Sequence, residues 1–173
     1  TEETGDEQLR SIIDTGMVDG VALMDVTMND PRIELAQLSS IPLISIGHPM
    51  NEINVPCIDT DFIEMGEMIM QTLCRNGHSR ILFAGGKEID YERNGGANYL
   101  IRLRTSMHDA AARYKIHIDE EFTDEDDFDA AENLLERFIS SENTAIVTQG
   151  GPLFLNNLVA ATRQRGMKIP QDL

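Results

Sequence analysis

The sequence predicts an α/β fold in which parallel sheets are flanked by helices, and three observations carry that prediction. Short runs such as VDGVALMDV (Val18–Val26), IPLISIG (Ile41–Gly47) and RILFAGG (Arg80–Gly86) are continuously apolar, as strands buried on both faces are. Segments with apolar residues at helical spacing separate these runs. Pro and Gly fall where those segments open and close. Strand alternating with helix in this way builds a parallel sheet covered on both sides.

Each element follows in order. Leu9, Ile12 and Ile13 keep helical spacing up to Gly16, and Val18–Val26 reads as the first strand. Asp30-Pro31 opens the next helix, with Ile33, Ala36 and Leu38 facing inward. Ile41–Gly47 and VPCIDTD (Val55–Asp61) are the second and third strands. A Met-rich amphipathic helix runs from Phe62 to Asn76, its stripe of Met65, Met68, Ile69 and Leu73 expected in the core. Gly77 stops it, and His78 is expected to cap the helix end or hold the turn into the strand Arg80–Gly86. A helix covers Ala97–Tyr114, and the acidic run DEEFTDEDDFD (Asp119–Asp129) is expected as a solvated loop and helix start. Phe128, Ala131, Leu134, Leu135 and Phe138 form a helix, Thr144–Gln149 a strand, and Leu153–Arg165 a last helix before Gly166.

Composition narrows the function. The 173 residues suit one domain or two small lobes, and a mean hydropathy of -0.25 is that of a globular chain. Fourteen basic residues against 30 acidic give a net charge of -16. That excess opposes binding to nucleic acid, where Lys and Arg supply most of the affinity. Cys57 and Cys74 lack CxxC spacing and read as buried thiols. No apolar run reaches the length of a membrane span and no signal segment precedes the first helix, so a reducing cytoplasm is the expected location and no membrane partner is expected. GGK lacks the remainder of a P-loop, the four histidines are scattered, HIDEE (His117–Glu121) stands alone, and no Ser or Cys sits in a nucleophile elbow. No enzyme, metal or cofactor is expected.

Four segments in order resemble one family: VDGVALMDV; a strand reaching IDTD and a helix with Gly66 in its first turns; NGHSRILFAGG; and TAIVTQGG followed by RQRGMKIPQDL. They are similar to the effector-binding core of LacI/GalR-type bacterial transcription repressors. IPQDL after a helix end counts most, being typical of repressors rather than of transport proteins on the same fold. The resemblance implies a periplasmic-binding-protein-like fold of type I: two Rossmann-like lobes, residues 1–60 and 61–173, both incomplete relative to the family. It also implies that the helix-turn-helix headpiece and hinge lie outside this chain. A small effector, a sugar or sugar derivative, would bind in the cleft between lobes and shift them between DNA-competent and released arrangements. The chain would form a homodimer and meet operator DNA only through the absent headpiece. A transport-type periplasmic solute-binding protein is the alternative on the same fold, and a nucleotide-binding enzyme a third.

Ligands on parallel sheets bind beyond the carboxyl ends of the strands, here Asp25, Gly47-His48, Asp59–Asp61, Gly85-Gly86 and Gln149–Gly151. Gly85 and Gly86 would let backbone approach a small molecule. Family members place an Arg near the start of the helix after the glycine pair. Counting forward selects Arg93, with Gly96 in register; counting back from KIHIDEEF selects Leu103, flanked by Arg102 and Arg104. A solvated helix face accounts for these arginines equally well. Asp25, His48, Arg93, Arg102 and Gly150 are the candidate effector-binding residues; a plain loop histidine is the rival reading of His48, and a helix cap is the rival reading of Asp61. Gly150-Gly151 replace the Asn-Asp often found there, which weakens the case for a simple hexose. Leu155 is the candidate dimer contact, with intrachain packing as its rival.

Overall fold

The computed structural model describes residues 5–16, 18–49, 55–92 and 96–173. In chain order it contains α1 (Gly5–Thr15), β1 (Val21–Leu23), α2 (Pro31–Leu38), β2 (Leu43–Ile46), β3 (Cys57–Ile58), α3 (Phe62–Arg75) and β4 (Arg80–Gly85). A 3-10 turn (Glu88–Tyr91), α4 (Asn98–Tyr114), β5 (His117–Phe122), α5 (Phe128–Ser140), β6 (Ile146–Thr148) and α6 (Pro152–Gln164) follow. Two compact units result: Thr1–Asp61 with Glu92–Ile101, and Phe62–Tyr91 with Arg102–Leu173.

The first unit holds a parallel sheet in the order β1-β2-β3, with Leu23 beside Ser45 and Ser45 beside Cys57. Leu9 of α1 and Ile33 and Ala36 of α2 close the core over Leu23, Val26 and Val55. Asp30 caps α2, its carboxylate accepting from the Arg32 backbone N–H, and Pro31 occupies the first turn as expected. The strands are shorter than their apolar runs. Asp25, at φ +50, turns the chain out of β1, and Val26 reaches the core from the loop beyond. An isolated antiparallel bridge joins Thr27 to Ala97.

The second unit holds a parallel sheet in the order β5-β4-β6. Central β4 is buried from Ile81 to Ala84, which is why its sequence is uniformly apolar. On one face Leu82 and Ala84 meet Ala131, Leu135 and Phe138 of α5 and Phe154, Leu158 and Ala161 of α6. The turn from α3 to β4 answers to its sequence. Gly77, at φ +84, donates its N–H to Cys74 O (3.0 Å), and His78 N–H reaches Leu73 O (3.0 Å). The His78 ring bonds Thr144 Oγ1 through Nδ1 at 2.9 Å, so its role is structural.

Several expectations are corrected. Leu38 is 86% exposed instead of facing inward, and of the two thiols expected to be buried Cys57 is only partly so and Cys74 is exposed. The buried face of α3 is Phe62, Gly66 and Met70, whereas Met65 and Met68 are exposed. Close approach to Ser106 at Gly66 sets that face. The acidic run does not begin as a loop, because β5 extends through Asp119, Glu120 and Glu121 to Phe122. Partners on other elements make this possible: Arg80 holds Asp119 (2.9 Å), Arg104 holds Glu120 (2.5 Å) and Arg137 holds Glu121 (2.9 Å). Once paired, the carboxylates tolerate the half-buried strand.

Candidate functional site

Because all strands within each sheet are parallel, the carboxyl ends of each sheet share one edge. In the first unit that edge is organised by an ion pair. Arg32 meets Asp30 through Nε to Oδ1 (2.9 Å) and Nη2 to Oδ2 (2.6 Å). The same Nη2 donates to the carbonyls of Met24 (3.0 Å) and Asp25 (2.9 Å). Asp30 is 2% exposed. Burial opposes its charge, but hydrogen bonds from the Arg32 side chain and from the N–H groups of Arg32 and Thr27 outweigh it and hold the carboxyl below its ordinary range. The exposed Asp25 is thereby fixed in a left-handed turn at the end of β1.

Beyond β2, Gly47 takes φ +111 and buried Ser45 donates to its carbonyl at 2.7 Å. His48 N–H donates to Asp59 Oδ2 at 3.0 Å, tying the loop after β2 to the one after β3. The His48 ring meets Pro49 O through Nδ1 at 2.5 Å, which requires the proton on that nitrogen. Asn98, the first residue of α4, belongs to this unit and follows the Thr27–Ala97 bridge. It is 2% exposed, and among the described residues neither its Nδ2 nor its Oδ1 has a partner. A buried amide with both functions unused is a costly arrangement unless something else meets it.

The corresponding edge of the second unit is aromatic. Gly85 ends β4, and a Cβ there would lie 2.6 Å from Phe122 Cδ1 and 3.1 Å from Tyr91 Oη. The missing side chain therefore admits Phe122 and Tyr91, which corrects the expectation that it clears backbone for a ligand; next to it Gly86 faces open space. The Tyr91 and Phe122 rings stand 5.0 Å apart at 60°, and Tyr91 Oη donates to Gln149 Oε1 at 3.2 Å. Arg104 lies against both rings, 5.3 Å from the centre of Phe122 and 5.9 Å from that of Tyr91. Its fork meets Glu120, Nε to Oε1 at 2.6 Å and Nη2 to Oε2 at 2.5 Å, and His108 Nε2 adds a contact to Oε1 at 2.9 Å. Burial opposes the charge of Glu120, but the Arg104 and His108 hydrogen bonds prevail and lower its pKa.

The remaining candidates fall in different places. Arg93 lies outside the described residues. The Arg102 guanidinium lies over the Phe62 ring at 5.5 Å, while Leu103 is buried. Gly150 N–H donates to Thr148 Oγ1 (2.8 Å), and a Cβ on it would meet Phe154 Cδ1 at 2.6 Å, so core packing already requires a glycine there. Leu155 is 46% exposed on α6, and Leu153 is exposed on the same helix. Among the described residues no three His, Cys, Asp or Glu side chains are grouped to hold a metal, and no helix is long and apolar enough to cross a membrane.

Tyr91, Phe122, Gln149, Arg104 and Asn98 form the polar and aromatic part of these edges. Arg104 was visible only as a neighbour in a counting argument. The alternation of Ile118, Glu120 and Phe122 could have exposed the strand ending in Phe122, but the acidic residues hid it. Nothing local marks Asn98.

This architecture recurs in solved structures. A LacI family transcriptional regulator from Bifidobacterium animalis subsp. lactis superposes with a TM-score of 0.81 at 20% identity, covering 99% of this chain and 62% of that one. A LacI family regulatory protein from Chloroflexus aggregans gives 0.76 at 21%, covering 98% and 59%. Residues 2–173 match the family described as periplasmic binding proteins and sugar binding domain of LacI family, and the chain belongs to that family. Among curated relatives, the HTH-type transcriptional regulator AglR of Rhizobium meliloti is 28% identical over 185 residues, covering 99% of this chain and 47% of that protein. Catabolite control protein A of Staphylococcus xylosus is 22% identical, with 90% and 46% covered. The chain spans about half the length of the curated relatives it matches.

Proposed function

We propose that the chain is the ligand-sensing and dimerisation core of a LacI-type bacterial transcription repressor. It takes up a small effector, a sugar or sugar derivative, beyond the carboxyl ends of its strands, and it performs no catalysis. Residues 1–60 are assigned to one lobe and 61–173 to the other, with Glu92–Ile101 grouping with the first compact unit. The observation that carries this reading is the edge shared by β4, β5 and β6, where the rings of Tyr91 and Phe122 stand beside the Gln149 amide. Aromatic faces beside amides suit the C–H faces and hydroxyls of a carbohydrate. Asp25, His48, Arg93, Arg102 and Gly150 are the other candidate contacts, and Asn98 joins them because its amide is unused.

The effector acts by population shift: it moves the protein between DNA-competent and released states by its difference in affinity for the two. DNA is met through a helix-turn-helix headpiece elsewhere in the full-length protein, since a net charge of -16 leaves this part unsuited to phosphate binding. The protein works in the cytoplasm as a homodimer in which Leu155 contributes to the contact. The curated relatives are regulators, which favours this reading over a transport protein of the same fold.

One structural neighbour is a probable maltose operon transcriptional repressor, which makes maltose a sensible first ligand. Calorimetry on the full-length protein with maltose, other sugars and sugar phosphates tests the reading. Saturable binding of one of them, weakened by Phe122→Ala, supports it. Heat from nucleotides or amino acids alone contradicts it.

A further inference from the structure

Arg104 is not among the candidate contacts, and its surroundings assign it a different part. Side chains two apart on a strand share a face, so Glu120 and Phe122 lie on one face of β5. Phe83 of β4 is in register with Glu120 and lies on the same face. Helix α4 lays Arg104 and, one turn later, His108 over that face, and both meet the Glu120 carboxylate.

Phe122 is hemmed in on several sides. The Phe83 ring meets it at 6.2 Å and 70°, and meets Tyr91 at 6.1 Å and 88°. Tyr91 is buried, whereas Phe122 stays half-buried at the strand end, so part of that ring is left for a ligand. The Arg104 guanidinium closes the group against both rings while its fork stays on Glu120. Stability does not call for such a clasp. Burial opposes the Glu120 charge, and an apolar pair of similar size commonly holds two elements together as well as a partly buried ion pair does. An apolar pair lacks what the guanidinium adds: a flat group that stacks on rings and is fixed in direction by two parallel hydrogen bonds.

We propose that Arg104 is a positioning residue for the effector: clasped by Glu120, it holds the Phe122 ring in place beside Tyr91 before a ligand arrives. The proposal rests on the sugar reading of this edge and adds to it a residue that is not itself a contact. Ordering a ring in advance spares the cost of ordering it on binding. Arg104 acts through the ring and not through its charge, because that charge is already matched by Glu120.

The test combines Arg104→Ala with Glu120→Val in the full-length protein. Neither charge is then left alone, Ala suits the helix and Val the strand, and exposed His108 is met by water, so the urea midpoint should stay close to that of the parent. In fluorine NMR of protein made with ring-fluorinated phenylalanine, the Phe122 signal, assigned from Phe122→Leu, should narrow without ligand as the ring gains motion. Calorimetry with maltose, and with glucose as a second probe, should show binding weakened about tenfold. Arg104→Lys keeps the charge without the planar fork and should behave like the double variant, which gives an answer even where the double variant is unstable. An unaltered Phe122 linewidth, parental affinity in the double variant, or full binding in Arg104→Lys would each overturn the proposal. A parent that takes up neither sugar counts against the sugar reading alone, and the ring signal then decides the part of Arg104.

Discussion

Gly66 of α3 and Ser106 of α4 meet so closely that a Cβ on Gly66 would lie 2.4 Å from Ser106 Oγ. Ser106 Oγ also donates to Ile63 O at 2.9 Å, so the hydroxyl joins the two helices. Gly66→Ala should destabilise the chain by about 1–3 kcal/mol through overpacking. Ser106→Ala should not rescue it, because Ser106 Cβ and the Met107 nitrogen would still lie 2.7 and 2.9 Å from the added carbon. Urea midpoints of the two single variants and the double variant check both statements.

Acid sensitivity follows from Asp30, Asp119 and Glu120, each holding its proton less tightly in the fold than in the unfolded chain. Burial acts against that direction in all three, and it is overcome chiefly by hydrogen bonds from Arg32 to Asp30, from Asn143 to Asp119 and from Arg104 to Glu120. A lowered folded pKa contributes stability that is complete above the ordinary carboxylate range and is lost as pH falls through the folded value. Urea unfolding should therefore show an acid limb below that range. Asp30→Asn should flatten the limb and cost about 1–3 kcal/mol at neutral pH. An unchanged slope would remove Asp30 from the account.

Asn98 separates stability from ligand binding. Replacing a buried amide that has no partner with an apolar group of similar size removes a desolvation cost of about 1–3 kcal/mol. Asn98→Leu should therefore unfold at a higher temperature than the parent while binding effector at least about tenfold more weakly. Equal loss of both would mean that the amide supports the fold instead.

Leu155 tests the dimer. Leu155→Asp in the full-length protein should shift sedimentation toward the monomer. Leu38→Asp, at the 86% exposed end of α2, should leave it unchanged. A dimer undisturbed by Leu155→Asp would move the contact elsewhere.

Much of the fold was legible because parallel strands are uniformly apolar and helix ends carry Pro or Gly. Arg80–Gly86 and the turn through Gly77 and His78 follow from those rules alone. β5 was not legible, because its three consecutive acids are neutralised by Arg80, Arg104 and Arg137, which come from distant points in the chain. The stripe on α3 was misjudged for a related reason: α4 crosses at Gly66, a partner that spacing within α3 does not reveal. Sites suffer most from this. Asp25, His48 and Gly150 mark strand ends that a reader can locate, whereas Tyr91, Phe122 and Asn98 gain their meaning only through contacts and burial.

Amide hydrogen exchange on the full-length protein, with and without the sugar that calorimetry selects, interrogates the ligand site itself. Slowed exchange should gather at residues 24–28, 85–92, 96–100, 120–123 and 148–151, the segments that end or follow the strands. Protection that instead avoided these segments and fell on the amino-terminal edges of the sheets would contradict sensing at the carboxyl edge.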